Sequence, residues 1–277
     1  MRIRGFVLWV VAFAVTLGLA VWQRASGPSY PARGRVTIGG STVRLELPRS
    51  GDSGEDLSVR IPVTNPGVSG ELAWRRFPTV EPWRVEPLRR DRSELVGALP
   101  SQPKSGKVEY QVRLFDGAGK PVVFPLRPAI ARFKGKVPVG VLAPHILAMF
   151  LALLFAARAG LGAVVGGERL APKSWVTLAL VIVGGFILGP IVQRFAFDAW
   201  WTGVPFGVDL TDNKTAIAAI VWGWALWRQR GGRPARAAVL VAALVMLVVF
   251  SIPHSVWGSQ LDWDRTAGAA ARTSGQP

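Results

Sequence analysis

A chain of 277 residues that is 50% hydrophobic, with 12 tryptophans and a positive mean hydropathy, is too apolar for a soluble domain and too short for a large transporter. The lack of cysteine excludes disulfides, thiolate metal sites, iron–sulfur clusters and cysteine nucleophiles. The formal charge of +16 would suit nucleic acid, but its distribution argues against that partner, because the arginines cluster in short loops beside apolar runs, as membrane insertion requires.

The first apolar run, residues 5–22, follows Arg2 and Arg4 and is read as an uncleaved transmembrane anchor within residues 1–29. Gly18-Leu19-Ala20 would pass as a signal-peptide cleavage site, but the run is longer than a usual signal core and ends in Val21-Trp22-Gln23-Arg24. Either choice leaves the next segment in the same compartment.

Residues 30–136 change character to short alternating stretches separated by Gly, Pro and Ser. Residues 42–47, 57–63 and 108–114 alternate with period two, which predicts strands with one buried face. About seven such strands suit an all-β sandwich of the immunoglobulin or fibronectin III kind, with Trp74 as the candidate core aromatic. The segment holds 19 basic and 11 acidic residues, and Arg75, Arg76, Arg84, Arg89, Arg90 and Arg92 crowd one part of it. Arg75, Arg76, Arg89, Arg90 and Arg92 are therefore candidates for a surface that meets acidic partners or anionic lipid, against the plainer reading of a solvated basic face.

Residues 137–277 read as a four-helix membrane domain, with apolar runs at 139–157, 175–192, 215–227 (a span of 213–228) and 235–251 (a span to 253), and an outer tail. Lys and Arg fix the orientation. Arg2 and Arg4, then Arg158, Arg169 and Lys173, then Arg228, Arg230, Arg233 and Arg236 give three regions of nine basic residues against Glu168. Those regions belong in the cytoplasm, which places residues 30–136, the 193–213 loop and the tail outside. The expected fold is thus a five-span α-helical bundle in a bacterial inner membrane, carrying an extracytoplasmic β-sandwich.

The run at 215–227 has only 13 apolar residues, about 20 Å of helix. It calls for a thinned bilayer, a snorkelling Lys214, or Asp212 and Asn213 drawn to the outer interface. Thr211 or Asp212 can cap this helix. A start one turn earlier would set Asp209 and Asp212 on one face, able to bind a cation together. The chain's two histidines, His145 and His254, fall in the same outer half. Three uses compete for this set: a metal or proton site drawn from His145, Asp209, Asp212, His254 and Asp262, a haem b held by His145 and His254, or a satisfied hydrogen-bond network that needs no cofactor. The network is the preferred reading, with no cofactor predicted.

Gly185 and Gly189 form a GxxxG step for close helix packing, and Pro190 can bend the helix beyond it. Trp200, Trp201, Trp257 and Trp263 outside, with Trp9, Trp175 and Trp227 inside, read as interfacial belts. The sequence has no HExxH, GxSxG, P-loop or GxGxxG signature.

Gly189-Pro190-Ile191-Val192-Gln193, Trp201-Thr202-Gly203, the DLTDNK stretch at 209–214, and IPHS at 252–255 with GS at 258–259 resemble an uncharacterised family of bacterial polytopic inner-membrane proteins. LPSQP at 99–103 and GKVEY at 106–110 are similar to the same group. The resemblance implies this architecture and no activity. The expected function is that of a non-enzymatic interaction or accessory subunit, with membrane lipid and other membrane-protein subunits as partners, docking onto a larger complex such as an electron-transport assembly. The alternative is metal, proton or haem handling at the outer His/Asp cluster.

Overall fold

Period-two patterning puts alternate side chains of Lys107–Phe115 and Ser41–Leu47 inside and outside, as a half-buried strand requires. The computed structural model describes residues 2–117, 121–254, 261 and 263. They divide into a helical unit from Met1–Gly27 and Val137–Ser259 and a β unit from Pro28–Lys136 with Gln260–Pro277.

In the β unit the strands are β1 (Ala32–Ile38), β2 (Ser41–Leu47), β3 (Ser50–Asp52), β4 (Leu57–Ile61), β5 (Ser69–Phe77), β6 (Arg84–Pro87), β7 (Arg89–Asp91), β8 (Glu94–Leu99), β9 (Lys107–Phe115) and β10 (Val122–Lys134). They form a β1-β2 hairpin, a five-stranded sheet ordered β3-β10-β9-β5-β6 and a three-stranded sheet ordered β4-β8-β7. Gly39 and Gly40 turn the hairpin with positive φ at both residues, the geometry a two-residue loop between twisted strands demands. All three sheets feed one apolar core, in which Leu45, Ile61, Leu72, Leu99, Tyr110 and Phe133 are fully buried. Trp74 is 2% exposed, paired across the ladder with Tyr110, and so is the expected core aromatic. Its indole N–H donates to Glu86, which satisfies the one polar atom of the ring. Ten strands replace the expected seven because β3, β6 and β7 are pieces of three or four residues with no apolar alternation to announce them.

The helical unit contains α1 (Arg2–Ser26), α2 (Val139–Val165), a continuous rod over Ala171–Phe197, α5 (Leu210–Arg228) and α6 (Arg236–Ser251). The rod is α3 (Ala171–Val181), a π-helical stretch (Ile182–Leu188) and α4 (Gly189–Phe197). Ile3–Ser26, Val139–Val165 and Ala171–Phe197 are long and apolar enough to cross a membrane, and α6 is a shorter apolar helix. Successive helices alternate in direction. Arg4 donates to the Val165 carbonyl, Gln229 donates to Ser174 Oγ, and Gln23 donates to the Phe250 carbonyl. One end of the unit therefore gathers the basic loops and the other gathers the residues around His145 and Asp212.

Small side chains let these helices approach. Ala152, Ala156, Ala159 and Ala163 of α2 and Ala238, Ala242 and Ala243 of α6 are buried in one cluster, and a Cβ on Gly160 would lie 2.7 Å from that of Ala243. Between apolar helices in lipid such van der Waals contact replaces the hydrophobic effect as the packing force. Gly185, expected as part of a GxxxG face, lies beneath Thr215 of α5, where an added Cβ would come within 2.3 Å of Thr215 Cγ2. Gly189 lies beside the His145 ring, and Gly184, which the motif omits, packs on Ala148 and Met149. The step thus seats α2 and α5 rather than a single neighbour.

Three expectations meet further detail in the structure. Helix α5 is 19 residues, about 28 Å at 1.5 Å per residue, longer than the 13-residue apolar run inside it, and it is not one of the three helices apolar enough to cross a membrane. Its first turn is made of polar Thr211, Asp212, Asn213 and Lys214, which hydropathy cannot register as helix. Trp263, expected in an interfacial belt, groups with the β unit, where its indole donates to the Phe77 carbonyl. The expected bend at Pro190 is joined by a π stretch: the Gly189 N–H reaches the Gly184 carbonyl, one residue beyond the α pattern, directly before Pro190.

Candidate functional site

Asp209 starts α5. Its carboxylate accepts from the Thr211 N–H at 2.8 Å, the bond an N-cap makes to an otherwise unpaired first-turn donor. Asp209 is thus the cap that Thr211 or Asp212 was expected to be.

This start frees Asp212 to turn outward into the 198–209 loop. Its Oδ2 accepts from Thr202 N–H at 2.6 Å, Gly203 N–H at 3.0 Å, Thr202 Oγ1 at 3.2 Å and Gln193 Nε2 at 3.2 Å. Asn213 repeats the device one residue on, accepting from Val204 N–H at 2.8 Å. Gly203 leaves no room for a side chain here, since a Cβ would sit 2.7 Å from both Asp212 Cβ and Asn213 Oδ1. Trp201 closes the loop by donating to the Val204 carbonyl and stacking on Phe186 of the π stretch at 5.5 Å. The sequence motifs WTG and DLTDNK are therefore two halves of one hydrogen-bonded rim, with Gln193 as a third contributor.

Lys214 does not snorkel. It is 2% exposed, and its ammonium donates to the Ile252 carbonyl at 2.6 Å, covering the end of α6 where the last helical carbonyls lack partners. Next to it, Thr215 bonds back to the Thr211 carbonyl and rests on Gly185.

His145 lies two turns into α2, and its Nδ1 donates to the Gly184 carbonyl of the π stretch at 2.9 Å. That bond fixes the ring and leaves Nε2 as the acceptor. His254 is exposed and lies near enough to Lys214, His145 and Asp209 for their charges to bear on it. His145, Asp209 and the buried Lys214 ammonium thus all lie within electrostatic range of His254. Asp212 points into the loop instead, and the two aspartates do not form a joint cation site. Among the described residues no group of three or more His, Asp or Glu side chains is placed to hold a metal ion. Asp262, the remaining candidate, lies outside the described residues.

The opposite end of the unit carries a second polar network. Arg158, 3% exposed inside α2, donates through both guanidinium arms to Glu168 at 2.6 and 2.9 Å, and Lys173 adds a third bond at 3.3 Å. The Trp9 ring of α1 covers the guanidinium face at 5.5 Å. Gly162 makes the space for this pair, as a Cβ there would fall 1.8 Å from Glu168 Oε1. An arginine inside an apolar run facing a lone acid ten residues later was a readable signal for this contact, and motif matching passed over it because no catalytic signature contains it.

In the β unit the candidate interaction arginines have different employments. Arg90 is committed to the carbonyls of Val63, Asn65 and Val68 and pins the turn between β4 and β5. Arg75 pairs with Glu109 and lies over Trp83, Arg76 pairs with Glu81 and lies over Trp263, and Arg84 lies over Trp74, each guanidinium 4.8 to 4.9 Å from the ring centre. Arg89 and Arg92 are exposed. Comparison with protein-family models and with curated proteins found no match to this chain.

Replacing Asp212 by Asn removes the charge that four donors share and is expected to cost about 2 kcal/mol, whereas Asp209→Asn keeps an N-cap side chain and should cost about 0.5 kcal/mol or less. Thermal unfolding in detergent measures both, and equal losses would contradict the division of roles. At the other end, the Arg158 hydrogen bond, aided by Lys173 and opposed by partial burial, holds the Glu168 carboxyl below the usual carboxylate range. A lowered folded-state pKa stabilises above the unfolded value and loses that contribution as pH falls through the folded one. Unfolding followed from about pH 7 to about pH 3 should therefore show a shallower acid decline in Glu168→Gln than in wild type.

Proposed function

We propose that this chain is a non-enzymatic, multi-pass accessory subunit of a bacterial inner membrane, which docks onto a larger membrane complex through an immunoglobulin-like outer domain. The observation that carries the reading is the pair of Arg–Trp stacks in which Arg75 and Arg76 of β5 lie over Trp83 and Trp263, beside the exposed Arg84 that covers the core Trp74. Arginine and tryptophan are the residue types most often decisive at protein interfaces, and side chains already held in place lose less entropy on binding. Five helices of alternating direction, with nine basic residues at one end, support a topology in which that end is cytoplasmic and the β unit extracytoplasmic. Electron-transport assemblies are one class of complex that such a subunit would serve.

The commitments of Asp209, Asp212 and Lys214 to backbone groups favour the structural reading of the outer cluster over the ligand one. Metal or haem at His145 and His254 stays the competing reading because the two rings share one neighbourhood. Purification in mild detergent, with metal analysis and an optical spectrum, separates them. The proposal expects colourless, metal-free protein bound to stoichiometric partner chains, with Arg76→Ala/Arg84→Ala losing the partners and still inserting. A solitary protein loaded with metal or haem would overturn it.

A further inference from the structure

We propose that the basic end of the helical unit holds the headgroup of an anionic phospholipid at a site built by Arg4 and Arg236 on the Gly166-Gly167 turn. Three helices converge there. Arg4 of α1 donates to the Val165 carbonyl at 2.9 Å and the Gly166 carbonyl at 3.4 Å, at the end of α2. From the start of α6, the Arg236 guanidinium lies so close over Gly166 that an added Cβ would meet its nitrogens at 2.5 and 2.6 Å. Two cations thus rest on one residue, and both side chains are exposed.

Nothing in the surrounding sequence balances them. Glu168 is the one acid in these loops, and Arg158 and Lys173 already occupy its carboxylate. Arg169, Arg228, Arg230 and Arg233 are also exposed and add to the same field. Two like charges gathered at one turn repel unless an anion sits between them. The turn has room for one: Gly166 and Gly167 both take positive φ, and Gly167 stands in open space with nothing within 4 Å of a Cβ position. A phosphodiester fits a pair of guanidiniums by paired hydrogen bonds. Trp175 and Trp227, both exposed near this end, suit the level of lipid headgroups. Charge complementarity and this position at helix ends select a membrane lipid as the occupant.

The inference rests on the membrane-spanning reading of the helical unit. Release of the wild type from membranes by alkaline carbonate would contradict that reading by itself, before any lipid is measured. The direct test is native mass spectrometry of the purified full chain offered equal amounts of phosphatidylglycerol and phosphatidylcholine. Wild type should retain phosphatidylglycerol preferentially. Retention should fall about fivefold for each guanidinium lost in Arg4→Gln and Arg236→Gln, persist in Arg4→Lys/Arg236→Lys, and be unchanged in the β-unit control Arg44→Gln/Arg127→Gln. Excess inorganic phosphate should not displace the lipid. Equal retention of the two lipids by wild type, or undiminished retention by a correctly eluting Arg4→Gln/Arg236→Gln variant, would overturn the site. Displacement by inorganic phosphate would show a free-anion site and overturn the lipid assignment.

Discussion

At the end of the helical unit opposite the basic loops, one oxygen of Asp212 is the point on which most bonds converge. It gathers donors from Gln193 on α4, from Thr202 and Gly203 in the loop, and so binds that loop to the first turn of α5. With α5 begun at Asp209, Lys214 comes into register with the Ile252 carbonyl of α6, and Thr215 with the gap above Gly185. Thr215 and Phe186 then define the face of the π stretch whose Gly184 carbonyl receives His145. Asn213 and Trp201, with backbone bonds from Phe206 and Gly207 to the Gly203 carbonyl, brace the same loop from its far side.

The two ends of the unit solve the same problem with opposite charges. Helix termini leave backbone groups unpaired, and in lipid no water is at hand to satisfy them. At the Asp212 end carboxylates and an asparagine face N–H groups, and one lysine faces a carbonyl. At the basic end arginine does the carbonyl work: Arg4 covers the end of α2, while Arg158 uses the single acid as a strut between α2 and the following loop. The same division accounts for the charge asymmetry, with Arg4 both covering carbonyls and, beside Arg236, remaining exposed at the proposed lipid site.

Much of this was legible in the sequence. Hydrophobic runs marked all five helices, alternation marked β2, β4 and β9, and Trp74 was the right core aromatic. What escaped lay where polarity and structure part company. The first turn of α5 is helical although it is polar, since capping by Asp209 overrides hydropathy. The alanine faces of α2 and α6 look unremarkable beside a GxxxG step, yet they supply much of the buried seam between those helices. Of the site, residue identity was readable and pairing was not: His145, Asp209, Asp212 and His254 were singled out, but the bonds that send Asp212 into the 202–203 loop and Lys214 to Ile252 depend on loop geometry that spacing does not encode.

The central claim, that a single carboxylate orders an otherwise irregular loop, is tested most directly by amide hydrogen exchange. In wild type the amides of Thr202 and Gly203 should be protected like those of the flanking helices, despite lying outside regular secondary structure, and in Asp212→Ala they should exchange at least about tenfold faster while amides of α2 keep their protection. Rapid exchange at these two amides in wild type, or unchanged protection in the variant, would contradict the account.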